Sequence, residues 1–405
     1  MIYIDNAKNI HGNKLNLVYK SSEDKHLDAT GLTVFPGLID PHVHFRTPGM
    51  EEKEDWQTAA LAAIHGGYTT VFDMPNTLPP TTTHTLFEEK KALIDSQLQK
   101  AGIPLRYELY FGADKNHLDQ IPTIKNNAIG IKVFMGCSTG NLVIDDDESL
   151  HAVFKIAAEQ NLLVAVHAED EAMIKNRKKI FHEDLKYASH SDIRNTDVAC
   201  CAVEKAISLT RLYGTKLYIL HVSSADEITL IKQAKAEGLP VFAETTPHHL
   251  FLNTDAYKTL QGKAVVNPPL RSPENQQAVF AAILDGTIDT IGSDHAPHLP
   301  HEKALPYGQC PSGMPGIETT LPLLLTAYHE QLISLERIIA LTCTKPREIF
   351  NLPENNDIVL VDLNKSKTIA NDDLKTKCKW SAFTGTELKG WPVYTFLKGF
   401  MFPLF

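Results

Sequence analysis

The chain has no apolar run of the roughly 18 residues that a membrane-crossing helix needs. Its amino terminus also lacks a charged segment leading into an apolar one. These absences set the expectation of a cytoplasmic protein with no membrane attachment; the aromatic close from Tyr394 to Phe405 is too short and too interrupted to span. A basic excess is missing as well. Lys+Arg 39 against Asp+Glu 49 gives a formal charge of -10, which argues against nucleic acid as a partner. Cysteine is scarce, with 6 in 405 residues, Cys200 and Cys201 adjacent and no CxxC pair. That excludes a disulfide scaffold and reads as buried thiols in a reducing compartment. Internal repeats and low-complexity tracts are absent, which leaves ordinary globular domains.

What is present begins with Gly37-Leu38-Ile39-Asp40-Pro41-His42-Val43-His44-Phe45-Arg46, an apolar lead into two histidines spaced i and i+2. On an extended strand those imidazoles share one face, where two of them can hold a transition metal. From Leu38 onward, apolar β-branched runs alternate with helical patterns. The runs are Leu38 to Phe45, Thr69 to Met74, Arg106 to Gly112, Gly130 to Met135, Leu162 to Ala168, Lys216 to Ser223, Pro240 to Thr246 and Ile288 to Asp294. Helical candidates lie between them, among them Trp56 to His65, Glu148 to Glu159 and Asp197 to Leu212, with Ser334 to Phe350 after the last run. This α/β pattern predicts a (β/α)8 TIM-type barrel over residues 38–354. Short strand-like pieces at both ends, residues 1–37 and 355–405, predict a discontinuous small β domain built from both termini.

In such a barrel the carboxyl ends of the strands converge on one mouth. The first run ends in His42 and His44, the fifth in His167, the sixth reaches His221, and the eighth ends in Asp294. Alone, His167 or His221 reads as a satisfied structural histidine. Histidines and an aspartate at the same relative position of their strands point instead to a metal site. Lys132 sits in Gly130-Ile131-Lys132-Val133-Phe134-Met135, a buried-strand pattern in which an unpaired ammonium is costly. Burial lowers a lysine's pKa, and the neutral amine can react with carbon dioxide to give a carbamate. An ordinary catalytic or salt-bridged lysine explains the pattern equally well. The long loops Phe251 to Ser272, with Asn267, and Gly308 to Gly316, with Pro315, read as parts of the same mouth.

Taken together, Asp40-Pro41-His42-Val43-His44-Phe45-Arg46, Met74-Pro75-Asn76-Thr77, Lys132, His167, His221 and Asp294-His295-Ala296-Pro297-His298 resemble the dihydroorotase family of the amidohydrolase superfamily. The resemblance covers nearly the whole chain and implies a barrel beside a small β-sandwich from both termini. It implies two Zn2+ ions, replaceable by other divalent metals: one on His42, His44 and Asp294, the other on His167 and His221, bridged by a CO2-derived carbamate on Lys132. The implied reaction is the reversible cyclisation of N-carbamoyl-L-aspartate to L-dihydroorotate plus water, in pyrimidine synthesis. A hydroxide bridging the metals attacks the ring amide in the hydrolytic direction, with Asp294 as general acid and base. The implied partner is thus a small-molecule substrate, and a homodimer is compatible with the family.

The resemblance places Arg46, Asn76 and His298 on the substrate, with Asn267, Pro315 and Gly316 near the pyrimidine ring. Arg46 can clamp the carboxylate that distinguishes dihydroorotate from hydantoins and dihydropyrimidines. Competing readings pair Arg46 with a protein carboxylate, expose His298 on the surface and leave Asn267 shaping a turn. Thr47, where many members have glutamate, and Arg194-Asn195, which lacks the family's Arg-Pro, are departures that touch no implied ligand. Two other functions compete: an allantoinase or dihydropyrimidinase, and a non-catalytic scaffold that associates with other pyrimidine enzymes. Degenerate scaffolds lose metal ligands, and none is missing here.

Overall fold

The structure, a computed structural model, describes residues 1–136, 142–181 and 185–404. Four strands come first: β1 (Ile2–Lys8), β2 (Lys14–Tyr19), β3 (Lys25–Asp28) and β4 (Thr33–Pro36). The staves of a barrel follow as β5 (Leu38–Val43), β6 (Tyr68–Asp73), β7 (Arg106–Gly112), β8 (Gly130–Phe134), β9 (Leu163–His167), β10 (Lys216–Ile219), β11 (Val241–Thr245) and β12 (Thr290–Ile291). The chain ends in β13 (Ile358–Thr368), β14 (Glu387–Leu397) and β15 (Phe400–Pro403). Strands β5 to β12 pair in sequence order, each parallel to the next. The seam between the first and last staves is bridged by Ser293 N donating to Asp40 Oδ1 (2.9 Å) and His44 N donating to the His295 carbonyl (2.8 Å).

Alternation along the staves decides which side chains enter the barrel. Ile131 and Val133 belong to the core shared with the surrounding helices, together with Val153, Phe154 and Ala157. Lys132 between them therefore points to the interior, at 1% exposure. The interior itself is filled by large side chains: Phe72, Tyr110 and Tyr218 close around Phe350, with ring centroids 4.9, 6.3 and 5.0 Å from it. This barrel is thus a packed plug with polar groups gathered at one end.

Strands from both termini join in one mixed sheet in the order β15-β14-β13-β4-β1-β2, with β3 on β1. Its small core holds Ile2, Ile4, Tyr19, Leu360 and Phe396. Strands β3 and β15 escaped the sequence reading because Lys-His-Leu-Asp and Phe-Met-Phe-Pro show no apolar alternation. They are strands because a partner offers an edge.

Helix ends obey local chemistry. Asp55 accepts from Gln57 N and Thr58 N at the start of Trp56–His65, and Asn195 accepts from Val198 N ahead of Thr196–Tyr213. The helix expected over Ser334 to Phe350 runs without a gap over residues 335–349 but widens in its middle: Leu335–Ile339 and Lys345–Ile349 flank a π-turn at Ala340–Thr344. Pro346 explains the widening, since it has no N–H to return to the carbonyl four residues earlier. Among the described cysteines none is in a disulfide; Cys343 and Cys378 are buried, Cys200, Cys201 and Cys310 are half-buried, and Cys137 lies outside the described residues. Among the described residues no helix is long and apolar enough to cross a membrane.

Candidate active site

Three of the expected strands stop short of their chemistry. The runs predicted to Phe45, Ser223 and Asp294 leave the ladder at Val43, Ile219 and Ile291. Beyond those points Arg46, His221 and Asp294 adopt positive φ angles of 63°, 40° and 45°. Leu220 already lies in the inner cluster, so a regular strand would turn His221 outward. The left-handed kink returns it to the interior, at a cost of about 1–3 kcal/mol per such residue that the surrounding packing sustains. Close approach matters here as well. A Cβ on Gly292 would lie 2.5 Å from Glu244 Oε2 and 2.8 Å from His42 Cβ, so only glycine lets β12 pass this close.

Two clusters result. His42 Nε2 and His44 Nε2 are 3.3 Å apart and lie 3.2 and 3.1 Å from Asp294 Oδ1. His167 Nδ1 faces His221 Nε2 at 2.9 Å, and the His42 and His221 rings are 5.5 Å apart, which sets the clusters side by side. All of these side chains are buried. Burial pushes His42 and His44 down to about 4 against the pull of Asp294, and drives His221 well below its usual value, so the imidazoles are neutral at neutral pH. Burial would raise Asp294, but His42 and His44 outweigh it and hold the carboxyl well below its usual range. Lys132 is coupled to both clusters, since its charge depresses His42, His167 and His221.

The outer ring nitrogens are oriented by Glu244 and Glu169, which the sequence reading did not single out, and by Asn76, which it placed on the substrate. His42 Nδ1 meets Glu244 Oε1 at 2.8 Å, and Tyr218 donates to Glu244 Oε2 at 2.9 Å. His44 Nδ1 meets Asn76 Oδ1 at 2.8 Å. His167 Nε2 meets Glu169 Oε2 at 2.8 Å, and Arg194 grips both oxygens of that carboxylate. His221 Nδ1 has no hydrogen-bond partner among the described residues. A signal for Glu244 and Glu169 existed: each is an acid in or next to an apolar strand run, where a buried carboxylate demands a partner.

Residues 33–401 match the amidohydrolase family. The chain belongs to that family. Among curated relatives, a dihydroorotase of Methanosarcina acetivorans is 35% identical over 94% of this chain and 83% of its own length. One of Halobacterium salinarum is 36% identical over 90% and 85%, and one of Listeria monocytogenes is 33% identical over 96% and 92%. Among solved structures, the L-hydantoinase (dihydropyrimidinase) of Arthrobacter aurescens superposes with a TM-score of 0.92 at 28% identity, covering 99% of this chain and 95% of that one. The dihydropyrimidinase of Brevibacillus agri gives 0.87 at 26% identity, over 98% and 94%.

As a member of this family the protein is an amidohydrolase, and His42, His44 and Asp294 form a candidate metal-binding group whose donor atoms all lie within 4.8 Å of one another. The chemistry of the group fits a divalent metal: neutral inner nitrogens converge on an ionised oxygen, while the outer nitrogens are already tied.

Other expected residues are distributed less tightly. Arg46 is 2% exposed and forms no ion pair among the described residues; its Nε donates to the Pro297 carbonyl at 3.1 Å, and Nη2 lies 3.1 Å from His298 Nε2. Burial lowers its pKa to about 10, which leaves it charged. His298 is fully buried rather than on the surface, with Nε2 3.0 Å from the Ser312 carbonyl and Nδ1 3.2 Å from Lys53 Nζ. Asn76 reaches the site through His44. Asn267 has its Oδ1 2.9 Å from His190 Nε2, in a cleft of about 720 Å3 that Arg194, Tyr307 and Ser312 also line. Gly316 donates its N–H to Nδ1 of His295, the neighbour of Asp294, and Pro315 lines a small void beside that ring.

Proposed function

We propose that this enzyme is a dihydroorotase that interconverts N-carbamoyl-L-aspartate and L-dihydroorotate, holding two zinc ions bridged by a carboxylated Lys132. The observation that supports it most directly is the buried, charged Arg46 beside the His42–His44–Asp294 cluster, with no protein carboxylate paired to it among the described residues. A guanidinium so placed suits the carboxylate of dihydroorotate, which uncharged hydantoins lack. The dihydroorotase relatives across 90% or more of this chain point the same way.

His42, His44 and Asp294 would hold one ion, and His167 and His221 the other. Bound there, the ions would polarise the ring amide carbonyl and acidify a water. Lys132 is suited to the bridge because burial brings its ammonium down to about 7, against Asp294 and Glu244, so a large fraction is neutral amine at neutral pH. Its nitrogen lone pair attacks the carbon of CO2, the ammonium proton leaves to solvent, and the product is an anion with two oxygens. In hydrolysis Asp294 takes a proton from water and delivers it to the ring nitrogen as the amide opens. In ring closure Asp294 removes the proton of the ureido nitrogen. Arg46 and His298 orient the substrate carboxylate, and Asn76 steadies His44.

The fold likeness to hydantoinases keeps one alternative substrate class in view, cyclic amides without a carboxylate. A spectrophotometric assay of the zinc-loaded protein on dihydroorotate, 5,6-dihydrouracil and hydantoin separates the two. Turnover of dihydroorotate exceeds that of either uncharged ring on our reading; the reverse order would make the protein a hydantoinase-type enzyme. Replacing Arg46 by methionine sharpens the comparison. Each charged hydrogen bond is worth about 1.5–3 kcal/mol, so kcat/KM for dihydroorotate falls by ~10-fold to ~1,000-fold, with far less change on an uncharged dihydropyrimidine. Equal losses on both substrates would assign Arg46 to folding. Comparing substrates within one variant cancels whatever the left-handed backbone at Arg46 costs the new side chain.

A further inference from the structure

Arg271 closes the loop Asn267 to Arg271 after β11, and it is 5% exposed. No role follows for it from the family resemblance. Its Nε donates to Ser223 Oγ at 3.1 Å, and its Nη1 donates to the carbonyl oxygen of Arg194. Both acceptors lead to the same place. Arg194 grips Glu169, whose Oε2 holds His167 Nε2 at 2.8 Å, while Ser223 stands two residues beyond His221. His167 Nδ1 and His221 Nε2 then meet at 2.9 Å. One guanidinium therefore ties together the two arms that present this pair.

The arrangement is costly unless it does something specific. Arg271 is buried and its Nη2 has no hydrogen-bond partner among the described residues; burial lowers its pKa, outweighing Glu227 and Glu169, which favour its charge, while Arg194 opposes it. What arginine alone supplies is a rigid planar fork that reaches two acceptors in fixed directions. Ser223 is fixed from its other side, since its hydroxyl donates to Glu227 Oε2 at 3.0 Å. The His42–His44–Asp294 cluster shares none of these bonds; Glu244 and Asn76 orient it.

We infer that Arg271 is a positioning residue for the second metal position, fixing the distance and orientation of His167 and His221 through Arg194–Glu169 on one side and Ser223 on the other. This rests on the two-metal reading above. It predicts a site-selective loss, whereas a merely structural residue would weaken both positions together.

The test is zinc titration of metal-depleted full-length protein, with bound metal counted by mass spectrometry, the cobalt(II) absorption spectrum of each form, and thermal unfolding as a control. Wild-type protein takes up two ions per chain. Arg271→Met keeps the first and weakens the second by up to roughly 10-fold, the low end of the cost of losing a group bonded directly to a ligand, and its cobalt spectrum at one equivalent matches wild type. Ser223→Ala, which removes one hydroxyl and leaves the chain otherwise intact, weakens the second ion in the same direction and carries the test should Arg271→Met not fold. Two ions bound with unchanged affinity in either folded variant, or equal weakening of both, overturns the inference and leaves the proposed function standing. Fewer than two ions in the wild-type protein overturns the two-metal reading, and this inference with it.

Discussion

Asp294→Ala lowers kcat for dihydroorotate hydrolysis by roughly 10²–10⁴-fold or more, the range expected for a lost general acid and base, while most of the metal is retained. The separation is expected because Asp294 Oδ1 lies 3.2 and 3.1 Å from the inner nitrogens of His42 and His44, and on the proposed mechanism it would serve both as a ligand and as a proton carrier. On the proposed two-metal reading, four histidines and the lysine bridge would still hold the ions without it, but the water would lose its proton acceptor and the ring nitrogen its donor. Asp294→Asn is a useful companion, because asparagine tolerates the left-handed backbone at φ 45° that alanine resists. Hydrolysis needs ionised Asp294, and His42 and His44 hold its carboxyl below the usual range although burial pushes it up. The acid limb of the hydrolytic pH profile therefore falls below the ordinary carboxylate range and disappears in Asp294→Asn. Ring closure consumes a proton in converting a carboxylate to an amide, so its equilibrium extent rises as pH falls, while its rate needs the same ionised Asp294 as base. Near-native turnover with full metal content and unchanged pH profiles in Asp294→Ala would rule out this mechanism while leaving the family assignment untouched.

Lys132→Ala loses most of its metal together with most of its activity, a larger effect than the roughly 10–100-fold cost of removing an outer-shell partner. Lys132 is 1% exposed and lies between helix-facing Ile131 and Val133, so its side chain can only enter the barrel. Among the described residues its side-chain nitrogen has no hydrogen bond or ion pair, and Nζ sits 4.5 Å from the centre of the Phe134 ring. A bare ammonium in that position would repel two cations, whereas a carbamate would bridge them. Short carboxylic acids added to Lys132→Ala supply bridging oxygens in the space the side chain vacates, and restore part of both metal and activity. Two results count against the carbamate: a fully active Lys132→Ala enzyme, and wild-type activity that is indifferent to removal of bicarbonate and CO2 during metal loading.

Much of this was legible before any coordinates. The barrel was, because an apolar stave between amphipathic helices writes its period into the chain, and β7 runs over Arg106–Gly112 as the pattern demands. His42 and His44 were, because two residues of strand return a side chain to the same face. The exact path of the chain past the strand ends was not. Nothing in Tyr218-Ile219-Leu220-His221 announces the turn to φ 40° that brings His221 to His167, and the short strands β3 and β15 carry no pattern of their own.

The residue types able to bind metal, move a proton and clamp a carboxylate are determined by the sequence itself, and so is the stave that bears each one, since composition and period are local. Which nitrogen of each histidine turns inward was decided only by tertiary structure. Glu244, Asn76 and Glu169 lie 202, 32 and 2 residues from the histidines they orient, and Arg271 meets Arg194 across 77. An imidazole chooses between its two nitrogens according to the partner offered to the other one; for His44 that partner comes with the pairing of β5 and β6, and for His42 it arrives only when the barrel closes.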